Sequence, residues 1–172
     1  MSNGRIELHV KRFKSGDKQA FNYIYDATYK AVYFHVLYVV KNKQTAEDVL
    51  HDAYLKAIEN INSYTLGTNF VGWLCTIAKN LALNKIKKLS RETNVDFDAE
   101  SYKYGSRETE IPYVFELASK ALPEDEYNII MLCQVAGYKR REVAEMLNMP
   151  IGTVMWKNNK ALSTLKELLK KD

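Results

Sequence analysis

The stretch FVGWLCTIAKNLALNKIKKLS, residues 70–90, decides the fold class. Its apolar residues return every three or four positions, placing Leu74, Ala78, Leu81 and Leu89 on one side, which is the signature of an amphipathic helix. The other side reads Thr76, Asn80, Leu83, Asn84 and Lys87. No acid occurs between Glu59 and Glu92, while Lys79, Lys85, Lys87, Lys88 and Arg91 accumulate. A stripe of amides and lysines next to an aromatic loop residue, Tyr64, suits single-stranded nucleic acid. Bases would stack on the ring, at about 1–3 kcal/mol each, and cations would follow the backbone. A solvated basic face is the plainer alternative. The asparagines favour binding, because a merely soluble helix face has better helix formers available.

Upstream, helical periodicity continues. Ser15-Gly16-Asp17 is a start signal for a helix carrying Ala20, Phe21, Ile24, Thr28, Val32 and Val36, which Asn42 ends. A short helix with Ile6, Val10 and Phe13 precedes it. Thr45 heads the next helix as a cap, with Glu47 and Asp48 in the first turn against the positive end of the dipole. Val49, Ala53, Ala57 and Ile61 carry that helix to about Asn60, and residues 63–69 form an aperiodic loop.

Downstream, residues 91–111 are charged, small and aperiodic, which is the composition of a flexible tether between domains that move independently. A second helical domain opens near Pro112 with Val114, Leu117, Ala118 and Ala121. Pro123 and the acids Glu124, Asp125 and Glu126 start its next helix, and Ala136-Gly137 stops it. Residues 138–154 fit a helix-turn-helix. Ala144 is small where helices cross, Asn148 tolerates a left-handed turn, and Val154 returns to the core. In such a unit the second helix enters the major groove by its N-terminal residues. Thr153, Met155, Trp156, Asn159 and Lys160 are then outward-facing; Thr153 and Lys157 can reach phosphates, and Asn159 a base edge.

The 172-residue chain is 47% apolar and 27% charged, a globular composition, and its 7 Gly and 3 Pro argue against a many-stranded fold. Net charge is +4, unevenly spread: residues 1–90 hold 13 basic against 7 acidic side chains, and residues 91–111 hold 3 against 6. A basic block is expected to meet a polyanion. Cys75 and Cys133 are unpaired in spacing and lie in apolar patterns, so buried thiols of a reducing compartment are expected. No phosphate-cradling glycine loop, nucleophile elbow or metal-ligand spacing occurs, and His9, His35 and His51 fall in separate helices. Neither an enzyme, a cofactor nor a metal is expected. With no bilayer-length apolar run and no signal-peptide pattern, the expected location is cytoplasmic, without membrane insertion.

Three blocks together carry a resemblance: residues 45–57 (TAEDVLHDAYLKA), residues 70–84, and Leu122-Pro123-Glu124 through Ile151-Gly152-Thr153-Val154. In this order, they resemble the bacterial sigma factors of the minimal, two-domain extracytoplasmic-function (ECF) type. The resemblance implies an all-α protein with a four-helix domain at 1–90, a linker at 91–111 and a helix-turn-helix domain at 112–172. It implies a dissociable subunit that binds core RNA polymerase, recognises promoter −10 and −35 elements and helps to open the duplex. Asp48, Val49, Asp52 and Leu55 would grip the polymerase, with His51 standing where Gln is usual. Tyr64 would hold a flipped −10 base; Asn80 and Asn84 would line the non-template strand, with Thr76 alongside and Lys79 and Lys87 on phosphates. An anti-sigma partner is common in the family, though no residue here points to one. Met155, Trp156, Lys157 and Asn158 depart from the basic-Ser-Arg-aliphatic pattern usual after Gly-Thr-Val. Asn158 falls on the apolar side, where a buried amide needs a partner. Two other readings remain open: a helix-turn-helix regulator that does not engage polymerase, and a degenerate sigma that acts by pairing with a partner.

Overall fold

The computed structural model describes residues 3–93 and 113–170, with side chains over 4–91 and 115–170. Helices α1 (Asn3–Lys14), α2 (Ala20–Val40), α3 (Lys43–Glu59) and α4 (Phe70–Thr93) form a first bundle, with a 3-10 turn at Ile61–Ser63. The expected tether falls mostly on residues outside those described, as does the side chain of Val114. A second bundle follows: α5 (Tyr113–Ala121), α6 (Glu124–Ile130), a π-helical turn (Met131–Val135), α7 (Arg140–Met146) and α8 (Ile151–Leu168). Among the described residues the fold is all-α.

Helix α2 is the spine. It packs on α1, α3 and α4, and then on α6 and the π turn of the second bundle. Its sequence explains this, because Ala27, Ala31, Val32, Phe34, Val36, Leu37 and Val40 are buried around most of its circumference, and a helix apolar on all sides must be covered on all sides. Phe34 meets Phe115 at a ring distance of 6.1 Å and Tyr38 meets Tyr127 at 5.0 Å. The buried side chains of both bundles therefore form one continuous cluster, where the sequence alone suggests two independent cores.

Helix ends follow local chemistry. Asn42 does not end α2; it caps α3, accepting from the Thr45 backbone N–H at 2.9 Å. The turn between these helices falls on Lys41, in the left-handed region at φ 53°. The Thr45 side chain therefore has no capping role, because the helix starts two residues earlier. Asn69 caps α4 by accepting from Gly72 N–H at 3.1 Å. A Cβ at Gly72 would lie 2.9 Å from Asn69 Nδ2, so a larger residue there would push the capping side chain aside. Asn148 takes the left-handed turn between α7 and α8, at φ 52°, as its place in the helix-turn-helix pattern leads one to expect.

Candidate nucleic-acid interface

On α4 the side chains of Thr76, Asn80, Leu83, Asn84 and Lys87 are all exposed, one uninterrupted stripe along the helix. Leu74, Ala78 and Ala82 hold the opposite side in the core. Ala82 takes the place that the periodicity gave to Leu81, which is only half-buried. Lys79 stands at the edge of the stripe, its ammonium between the two oxygens of Glu124 at 2.7 and 3.0 Å.

The loop at 63–69 is held from below by α1. Glu7 accepts from the Tyr64 hydroxyl and, at 2.9 Å, from Gly67 N–H. Lys14 Nζ donates to the Tyr64 carbonyl at 2.7 Å. The Tyr64 ring is 2% exposed, in contact with Phe70 at 5.2 Å and Trp73 at 5.3 Å. Burial, with the Glu7 carboxylate behind it, pushes the phenol up to about 12, so it stays a neutral donor. The expected role of Tyr64 as a stacking platform needs a free ring face, and here the residue is almost wholly covered. The cause is the aromatic pair on the first turn of α4, which gives the ring more apolar contact than solvent can.

Helix α3 exposes Asp48, His51, Asp52 and Leu55, with Ile58 one turn on. Val49, expected on this same face, is 2% exposed and points into the core. A position one residue from Asp48 turns about 100° away, which takes Val49 out of the surface row.

In the second bundle, Met155 and Trp156 are exposed near the start of α8, Trp156 at 60%. Asn159 is also exposed and Thr153 half-buried. Lys157 and Lys160 lie beside the Trp156 ring, at 5.8 and 5.3 Å from its centre. Both are paired with acids of α6, Lys157 to Asp125 at 2.5 Å and Lys160 to Glu126 at 2.7 Å. Asn158 is fully buried. Its Oδ1 accepts from Gln134 Nε2 at 3.4 Å, and its Nδ2 has no partner among the described residues.

Residues 24–92 match the family model described as Sigma-70 region 2. The ECF RNA polymerase sigma-E factor of Haemophilus influenzae is 30% identical, over 84% of this chain and 85% of its own. The ECF RNA polymerase sigma factor SigW of Bacillus subtilis is 26% identical over 96% and 97%. The chain belongs to the ECF sigma factors. It therefore functions in transcription initiation.

Solved sigma structures agree on the fold. The sigma factor RpoE of Bartonella quintana, solved with the anti-sigma factor NepR, is 26% identical, with a TM-score of 0.53 over 88% of this chain and 98% of that one. CnrH, solved with the cytosolic domain of CnrY, is 16% identical and shares the fold at a TM-score of 0.59 over 98% and 99%. The α4 stripe falls within the matched region and α8 outside it. The structure also adds positioning residues that no sequence pattern reveals. Glu7 and Lys14 are 57 and 50 residues from Tyr64, and their charges look like ordinary helix-surface charges when read in isolation. Glu124 reads as a first-turn acid, yet it also reaches His35 of α2, whose Nδ1 lies 3.4 Å away.

The His35 ring is held neutral. Burial lowers its pKa and outweighs the opposite pull of Glu124, and Asn128 Nδ2 lies 3.2 Å from Nδ1 as a donor. Cys75 is likewise inert, burial pushing its thiol up to about 12.

Proposed function

We propose that this sigma factor binds core RNA polymerase through α3, engages the melted −10 strand along α4 and addresses −35 duplex with α8. The observation that carries the reading is the exposed stripe of Thr76, Asn80, Asn84 and Lys87, free of acids over about three turns. Amide side chains can meet base edges, and lysines can meet phosphates. Lys79 adds a further cation once Glu124 releases it. Tyr64 contributes by fixing the loop that leads into α4.

On α3, Asp48, His51, Asp52 and Leu55 present two carboxylates and an apolar side chain on one face, a composition suited to a protein partner with a basic rim. On α8, Met155 and Trp156 offer apolar contact to thymine methyls, with Asn159 able to address a base edge and Thr153, Lys157 and Lys160 placed for phosphates. In this reading residues 1–90 form the polymerase and −10 domain, 91–111 the linker and 112–172 the −35 domain. The chain itself would supply binding energy for strand separation, and the polymerase the catalysis; the protein is not an enzyme and acts in the cytoplasm. Among the described residues, no helix is long and apolar enough to cross a membrane. The complex of the Bartonella quintana relative with NepR supports an anti-sigma factor as a further partner.

Capture of core polymerase, followed by run-off transcription from a randomised promoter pool, tests this. Wild-type chain should be captured and should direct initiation, and Asp48→Ala with Leu55→Ala should weaken capture by about tenfold or more, the scale of two interface anchors. Capture without initiation on any promoter would favour the degenerate, partner-dependent reading. No capture would leave only a duplex-binding regulator.

A further inference from the structure

In the second bundle, positive charge and the entry to α8 are carried by different helices. Near its start α8 shows Ile151, Met155 and Trp156 to solvent, at 48, 42 and 60% exposure. Its two cations there, Lys157 and Lys160, are held by Asp125 and Glu126 of α6. Burial alone would raise the Asp125 carboxyl, but the Lys157 ammonium and the Glu126 N–H hold it below the usual carboxylate range. A lysine that keeps its carboxylate brings no net charge to a phosphate, and so displaces no counterion from DNA. Lys166 and Lys170 are exposed, but they lie about 20 Å or more beyond Ile151 along the helix axis.

The open charge lies elsewhere. Lys139, Arg140 and Arg141 are three consecutive basic side chains, all exposed. Neither arginine has a carboxylate partner among the described residues. Glu142, the next acid along the chain, turns an oxygen to the backbone instead: its Oε2 accepts from the Lys139 N–H at 2.9 Å. Arg141 lines an open groove of about 650 Å³ between α7 and α8, together with Glu145, Asn148 and Ile151. It therefore shares a surface with the entry to α8. When the second helix of such a unit enters the major groove, the first crosses the sugar–phosphate backbone. A guanidinium suits that position, because its planar fork of donors matches phosphate oxygens and it stays charged.

We propose that Arg140 and Arg141, with Lys139 beside them, are the phosphate anchors of the second bundle. This inference rests on the −35 reading above and narrows it: Lys157 and Lys160 stay with their acids, and α8 meets base edges through apolar and amide groups. The two helices then divide the work. Charge on α7 sets affinity and salt dependence for every duplex alike, and α8 sets which sequence is preferred.

The test follows the full chain binding a short labelled duplex of mixed sequence, by fluorescence anisotropy over a range of salt. Arg140→Gln with Arg141→Gln should flatten the log–log slope by about 1.8, at about 0.9 for each phosphate no longer neutralised. Arg140→Lys with Arg141→Lys should keep the slope, since the charge remains. Lys157→Gln with Asp125→Asn removes one internal ion pair whole and should leave the slope unmoved. The melting temperature of each variant checks that it folds. An unchanged slope in the Arg→Gln variant, or a flatter one in the Lys157→Gln variant, would overturn the assignment. Weaker binding by Trp156→Ala in that case would leave the −35 reading standing. If Trp156→Ala and the Lys157→Gln variant also bound normally, the −35 reading itself would fail.

Discussion

The two helices proposed to meet DNA differ in how their polar groups are disposed. Helix α4 carries amides and lysines on one open stripe and packs alanines and a leucine behind it. Helix α8 reverses this: an amide, Asn158, is buried in its core face while Met155 and Trp156 are exposed, and Lys157 and Lys160 are tied to α6. The first surface is suited to a flexible strand with many phosphates and exposed base edges. The second has little free charge, so any duplex contact must lean on apolar groups and on shape. Specificity in the two places should therefore respond differently to salt, to mutation and to acid.

The largest effect should come from the support under the first surface. Tyr64→Ala would remove a ring packed against Phe70 and Trp73 and orphan Glu7, and should lower stability by about 3–5 kcal/mol in denaturant unfolding. A merely local loss of DNA binding at wild-type stability would return Tyr64 to the role of a stacking platform.

On the second surface, Asn158→Leu should stabilise the chain by about 1–2 kcal/mol, because an incompletely bonded buried amide is replaced by an apolar group. A destabilised variant would show that Asn158 is fully satisfied in solution. Trp156→Ala should leave the melting temperature almost unmoved, since the ring is mostly exposed, but weaken −35 duplex binding by about fivefold. Loss of stability without loss of binding would remove Trp156 from the interface.

The smallest effect concerns acid. His35 is buried and its pKa depressed, with Glu124 and Asn128 facing it from α6 and Lys79 from α4. A depressed base binds fewer protons folded than unfolded, so its contribution is complete above the ordinary histidine value of about 6.5 and is lost as pH falls through the lower folded value. Melting measured at pH 7.5 and pH 5.5 should show a drop that His35→Asn reduces. An equal drop in both proteins would exclude His35 as the cause.

Much of this was legible in the residues. The helix order, the loop at 63–69, the left-handed Asn148 and the α4 stripe all follow from local pattern, because helix period and turn chemistry act over a few residues. Contacts between bundles were not legible. Nothing local tells Glu124 to reach Lys79 and His35, or α1 to hold the loop 50 residues away, since such pairings depend on how the helices stack. Val49 and Tyr64 are both buried for a related reason: a role implied by family resemblance says which position matters, but burial is settled by the neighbours that this chain supplies. The acids of α6, read as dipole partners, turn out to hold lysines as well.

Helix α4 is proposed to contact the phosphates of a melted strand. The salt dependence of −10 strand binding by the polymerase-assembled protein tests it most directly. Lys79→Gln with Lys87→Gln should flatten the log–log slope by about 0.7 for each phosphate that is no longer neutralised. An unchanged slope would mean that these lysines are ordinary solvated charges and that the strand lies elsewhere.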